Sequence, residues 1–127
     1  MFHKILWLSL AGAGGTLARF GLSGLVQKFS SNSSFPCATA TVNFAGCFLA
    51  GLFLVFFENR QVIPAEARVF IFAGFMGAFT TFSAFVMETG ELARSANWTY
   101  VAVNILVQNV LGFTALLAGI TTGRRLI

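Results

Sequence analysis

Four long apolar stretches, separated by three short polar breaks, order this chain. The stretches run over about residues 5–26, 39–57, 69–87 and 100–121. Each is close to the roughly 20 residues that a helix needs to cross the hydrocarbon core of a bilayer. The breaks are chemically plain. Gln27 to Pro36 is polar and ends in a proline suited to the first turn of the second span. Glu58 to Arg68 is charged and includes Pro64; Gly90 to Asn97 is polar and carries Glu91 and Arg94. Lipid tolerates only helices or closed barrels as spanning structures. The pattern therefore predicts an all-α membrane protein with four transmembrane helices in a single domain over residues 1–127.

Composition agrees. Of 127 residues, 57% are hydrophobic and 9% are charged, whereas a soluble domain is nearer a quarter charged. The formal charge is +4, but the basic residues sit mostly at segment ends, where they anchor to headgroups and bias orientation rather than bind nucleic acid. One side would hold Lys4, Arg60, Arg68, Arg124 and Arg125; the other Lys28 and Arg94, plus Arg19 if it reaches that interface. That modest bias favours both termini inside and leaves mixed insertion open. Cys37 and Cys47 are ten residues apart, about 15 Å along one helix, too far for a disulfide. The opening Met-Phe-His-Lys and the later Ala11-Gly12-Ala13 imitate a signal peptide, yet the apolar character continues to Val26 and three more spans follow. Asn97 reads as a helix start signal rather than a glycosylation acceptor.

No enzyme is visible. The only histidine, His3, is near the start, and the four acids, Glu58, Glu66, Glu88 and Glu91, form no paired-carboxylate or metal-ligand pattern. Gly12, Gly14 and Gly15 lie within the first span with no preceding strand, so close helix packing accounts for them better than a phosphate loop. The informative polar residues are those inside spans. Asn43 shares a helical face with Gly46, Cys47 and Ala50, which points it at protein or a pore. Asn104, Gln108, Gly112 and Ala115 form one stripe in the fourth span, with Asn109 at its flank. Each amide is either interhelical glue or pore lining. Arg19 lies fourteen uncharged residues beyond Lys4, too few for a full span. It either begins inside the hydrocarbon or snorkels to the far interface, and its sign favours nearby anions.

The third span carries Gly77-Ala78-Phe79-Thr80-Thr81-Phe82-Ser83-Ala84-Phe85. Glycine and adjacent threonines predict that this helix is broken in mid-membrane. Carbonyls freed between Gly77 and Thr80 would need partners there, and a cation is one way to satisfy them. Phe82 and Phe85, three residues apart, share one face. A ring has a negative face and a positive edge, so rings turned edge-on can accept a small anion without the tight grip of a buried amine. An apolar packing stripe is the plainer reading of any two of the 16 phenylalanines.

These residues resemble the Fluc (CrcB) family of fluoride channels, small bacterial four-span proteins that export fluoride passively. The resemblance covers essentially the whole chain. It is carried by Gly14-Gly15-Thr16-Leu17-Ala18-Arg19-Phe20, by Pro36, Thr39 and Val42-Asn43, and by Gly77 to Phe85 with Glu88. It implies an antiparallel, dual-topology homodimer in the bacterial inner membrane with two fluoride pores. It also implies a sodium ion at the dimer centre, held by the backbone carbonyls of Gly77 and Thr80 from both subunits. Phe82 and Phe85 match the aromatic box of the fluoride path, Asn43 the pore asparagine and Arg19 a residue near a vestibule; Thr39 and Glu88 also match. The chain departs from the family pattern at Ser83-Ala84-Phe85-Val86, where two hydroxyls are lost. It departs again in span four, where Gln108, Asn109 and Phe113 stand in place of serines. The expected mechanism is electrodiffusion. Donors replace fluoride's water: the Asn43 amide, hydroxyls such as Thr39, a span-four amide (Gln108 or Asn109) and the ring edges. A heterodimer is an alternative assembly. The main rival is a small multidrug antiporter, but that needs an acid in span one, where this chain has Arg19. A structural subunit of a larger complex would explain the packing glycines but not the polar break.

Overall fold

The computed structural model describes residues 1–58 and 64–127; Arg60, used above to weigh orientation, lies outside them. Helix α1 spans Phe2–Ser30, α2 Cys37–Glu58, α3 Ala65–Val69, α4 Gly77–Phe79, α5 Phe82–Arg94 and α6 Trp98–Leu126. A π-helical turn, Phe70–Met76, joins α3 to α4. Among the described residues, four helical stretches are long and apolar enough to cross a membrane: α1, α2, the run from Glu66 to Arg94, and α6. Helices extend a few residues beyond the apolar stretches at most ends, because hydropathy marks the part in hydrocarbon while the backbone ladder continues into the interface. At the first break the helix absorbs Gln27 to Ser30, and Pro36 sits just before α2, its carbonyl accepting the Ala40 amide at 3.1 Å. Asn97 does precede α6 and its carbonyl accepts the Val101 amide at 3.1 Å, but its side chain makes no capping bond.

The ends of the helices sort into two sets. Lys4 at the start of α1 pairs with Glu66 of α3 at 2.9 Å. Phe35, ahead of α2, meets Tyr100 of α6 edge to face with ring centroids 6.0 Å apart. The exposed indoles Trp7 and Trp98 mark the two ends, where amphipathic rings prefer a membrane interface.

The most extensive packing is α2 on α6. In hydrocarbon there is no hydrophobic force to draw helices together, so close backbone approach must supply the contact. Glycines supply it. A Cβ on Gly51 would strike the Leu116 carbonyl, and one on Gly119 would strike the Phe48 carbonyl. A Cβ on Gly123 would lie 2.9 Å from the Val55 Cβ. On the other side, Gly15, the only buried residue of α1, lies against the Phe75 carbonyl of the π-helical turn. Gly119→Val should therefore separate α2 from α6, at a cost of about 1–3 kcal/mol or more for overpacking against rigid backbone. The check is the thermal midpoint in detergent, which should fall well below that of the native chain. An unchanged midpoint would mean the two helices do not meet there.

Candidate functional site

The backbone leaves the helical path at two residues. Thr80 has φ −85°, ψ 158° and Thr81 has φ −149°, ψ 107°, both extended. Thr81 then caps α5: its hydroxyl accepts the Ala84 amide at 3.2 Å, the usual role of threonine at a helix start. Upstream, the Thr80 amide and hydroxyl both donate to the Met76 carbonyl, each at 3.0 Å. The consequence falls on two carbonyls. A continuous helix would aim the Thr81 amide at the Gly77 carbonyl and the Ala84 amide at the Thr80 carbonyl. Here the Thr81 amide donates to Asn43 Oδ1 at 3.0 Å, and the Ala84 amide goes to the Thr81 hydroxyl.

Asn43 is the brace. Besides accepting from Thr81, its Nδ2 donates to the Thr81 carbonyl at 3.3 Å and to Gln108 Oε1 at 2.7 Å. It thus joins α2, the extended pair and α6. Gln108 Nε2 donates to Asn104 Oδ1 at 2.9 Å, and Asn104, fully buried, donates to Thr89 Oγ1 at 2.9 Å. The stripe read from the sequence is real on its inner side: Asn104 and Gly112 are buried and Gln108 half-buried. Asn109 is exposed, with its amide bonded back to the Ile105 carbonyl at 2.7 Å.

An open groove of about 420 Å³ runs beside the extended pair. Asn43, Gln108 and Asn109 line it on one side, and Gly77, Thr80 and Thr81 along the backbone. Phe82 and Phe85 complete it. Their rings are 5.6 Å apart at 48°. Phe82 is 77% exposed, so its ring is not packed away as core. Arg19 and Thr39 are elsewhere: with Thr16, Phe20 and Ser23 they line a second groove. Thr81 belongs to both grooves, so the two adjoin at the extended pair. Thr39 also differs from the expectation of a free hydroxyl donor. It is buried, and its hydrogen is given to Glu88 Oε1 at 2.5 Å. Of the predicted site residues, then, the structure gathers Asn43, Gly77, Thr80, Phe82, Phe85, Gln108 and Asn109 in one groove and sets Arg19 and Thr39 in its neighbour.

Two features were not legible in the sequence. One is the π-helical turn, in which a Cβ on Gly74 would lie 2.8 Å from Ala11 Cβ of α1. The other is the bond from the Thr81 amide to Asn43; the face shared by Asn43, Gly46, Cys47 and Ala50 does line the groove. The only signal for the second is free polar backbone beside Gly77.

The fold defines an all-helical, multi-pass membrane protein, and its groove is lined by aromatic rings and side-chain amides beside the extended Thr80–Thr81 pair; small ion channels are of this class. Comparison with known sequences narrows this. Residues 6–120 match the model of the family described as CrcB-like protein, camphor resistance (CrcB), and the chain belongs to that family. It is similar to the fluoride-specific ion channel FluC of Desulforapulum autotrophicum, 56% identical over 98% of both chains. It is also similar to the proteins of the same description from Nitrosococcus oceani and Maridesulfovibrio salexigens. The first is 46% identical over 95% of this chain and 96% of the relative; the second is 42% identical over 98% of both.

Proposed function

We propose that this chain is a fluoride-selective channel, a multi-pass protein of the bacterial inner membrane through which fluoride leaves the cytoplasm down its electrochemical gradient. It is not an enzyme. The observation that carries the reading is the convergence of Phe82, Phe85, Asn43 and Gln108 on one groove beside Thr80 and Thr81, in a chain whose relatives are fluoride-specific channels. Fluoride holds its water tightly, so a narrow path must offer donors and positive ring edges in exchange. Side-chain amides and two phenylalanine rings line the groove, which supports this reading. The extended pair is read as a break at membrane depth, and Arg19 in the adjoining groove as a cation that draws anions towards the path.

The assembly we propose is an antiparallel, dual-topology homodimer. One chain presents its groove open on one side, with the Phe82 ring projecting; a second copy placed by a two-fold axis would close it with the same surface. The Gly77 and Thr80 carbonyls, released from the ladder, fit a hard cation, since the donor set is neutral oxygen. A sodium ion held by these carbonyls from both copies would supply fixed positive charge that lowers the cost of a neighbouring anion. The test is efflux from liposomes holding this purified chain alone, under a potassium/valinomycin clamp, with fluoride and chloride read in parallel. Fast fluoride release without chloride release is expected. No fluoride release from folded protein would reject the homodimeric channel, and release restored by a partner chain would establish the heterodimer instead.

A further inference from the structure

The hydrogen bonds around Asn43 run in one direction. A backbone N–H can only donate, so the Asn43 atom facing the Thr81 amide is Oδ1. Asn43 Nδ2 then faces the Thr81 carbonyl and Gln108, which must present Oε1 to it. That turns Gln108 Nε2 towards Asn104 Oδ1. Asn104 in turn gives Nδ2 to the Thr89 hydroxyl, and Thr89 gives its own hydrogen to the Phe85 carbonyl at 2.6 Å. One backbone amide in the extended pair thus orients three side-chain amides and a hydroxyl across α2, α5 and α6.

An amide NH2 carries two hydrogens. Both of those on Asn43 are committed. Asn104 is fully buried and away from the groove. Gln108 commits one, to Asn104, and lines the groove that holds Phe82 and Phe85. We infer that Gln108, rather than Asn43, offers the free N–H to an anion in this groove, and that Asn43, Asn104 and Thr89 are positioning residues that keep that N–H, and not the Gln108 carbonyl oxygen, turned to the path. The inference rests on the fluoride-channel reading. A flipped Gln108 would set an oxygen against the anion and also oppose Asn104 Oδ1 and the Asn43 amide wrongly, so the network resists it from both ends.

The test combines fluoride efflux with side-chain amide spectra of 15N-labelled protein in nanodiscs, titrated with sodium fluoride and, separately, sodium chloride. Fluoride should shift the Gln108 amide signals and leave those of Asn43 in place. Gln108→Leu should slow fluoride release by about tenfold to a hundredfold, the size of a lost hydrogen bond to a charged group, with dimer elution unchanged. Asn104→Leu should broaden the Gln108 signals and slow release. Asn104→Asp, which keeps an oxygen facing Nε2, should restore sharp Gln108 signals; a purely structural Asn104 would not give that pattern. A shift confined to Asn43, or Gln108→Leu conducting like the native chain, would overturn the inference while leaving the channel reading intact. If Gln108→Leu does not fold, the native spectra decide. A native chain that releases no fluoride, either alone or with a partner chain, would overturn the channel reading and this inference with it.

Discussion

Phe82→Ile and Phe85→Ile should each slow fluoride release from liposomes by about tenfold or more, while the protein still elutes as the native assembly does. Isoleucine is apolar and branched, so it keeps the groove dry and roughly filled but has no ring edge. Specific aromatic contacts reach about 1.5 kcal/mol, and a barrier raised by about 1.4 kcal/mol slows passage tenfold. The two rings touch, at 5.6 Å, so the double variant should depart from the product of the singles. Little stability is at stake at Phe82, which is 77% exposed in the single chain. Release at native rates from both variants would mean that the rings serve packing alone.

Asn43→Leu should be more damaging. It removes all three bonds that Asn43 makes to Thr81 and Gln108. The Thr81 amide is then left without its side-chain acceptor, at a cost of about 1–3 kcal/mol for an unpaired donor. The expected result is fluoride release lowered by more than about a hundredfold, together with a lower thermal midpoint. Asn43→Asp separates the two effects. A carboxylate oxygen still accepts from Thr81, so the extended pair should persist, but nothing donates to the Gln108 oxygen and the amide network must reverse. That variant should melt near the native temperature and still conduct poorly. Native conduction in Asn43→Asp would show that the direction of the network is irrelevant to transport.

Much of this was legible from residues alone, and for local reasons. A span is announced by about twenty consecutive apolar residues, and Pro36, Pro64, Glu91 and Arg94 interrupt that signal at the three breaks. Gly77 with Thr80 and Thr81 marks a stretch of weak helix propensity, and the spacing of Phe82 and Phe85 puts them on one face. The family resemblance rested on the same residues. Where helices end was less legible. Gln27 to Ser30 looks like loop by polarity but continues α1, because polar side chains in an interface do not oppose helix formation.

What only the tertiary structure decided is which polar atoms are already spoken for. Thr39 reads as a free hydroxyl until Glu88, 49 residues on, takes its hydrogen. Gln108 and Asn109 are adjacent in an apolar helix and equally good candidates by composition. The packing of α6 on α2 through Gly119 and Gly51 sets the rotation that gives Gln108 to Asn43 and leaves Asn109 exposed. A helix apolar on all sides carries no moment to reveal that rotation. Hydrophobic pattern is a property of neighbours in the chain and survives in the sequence. The pairing of donors with acceptors 38 and 65 residues apart exists only once glycine contacts have brought the helices together.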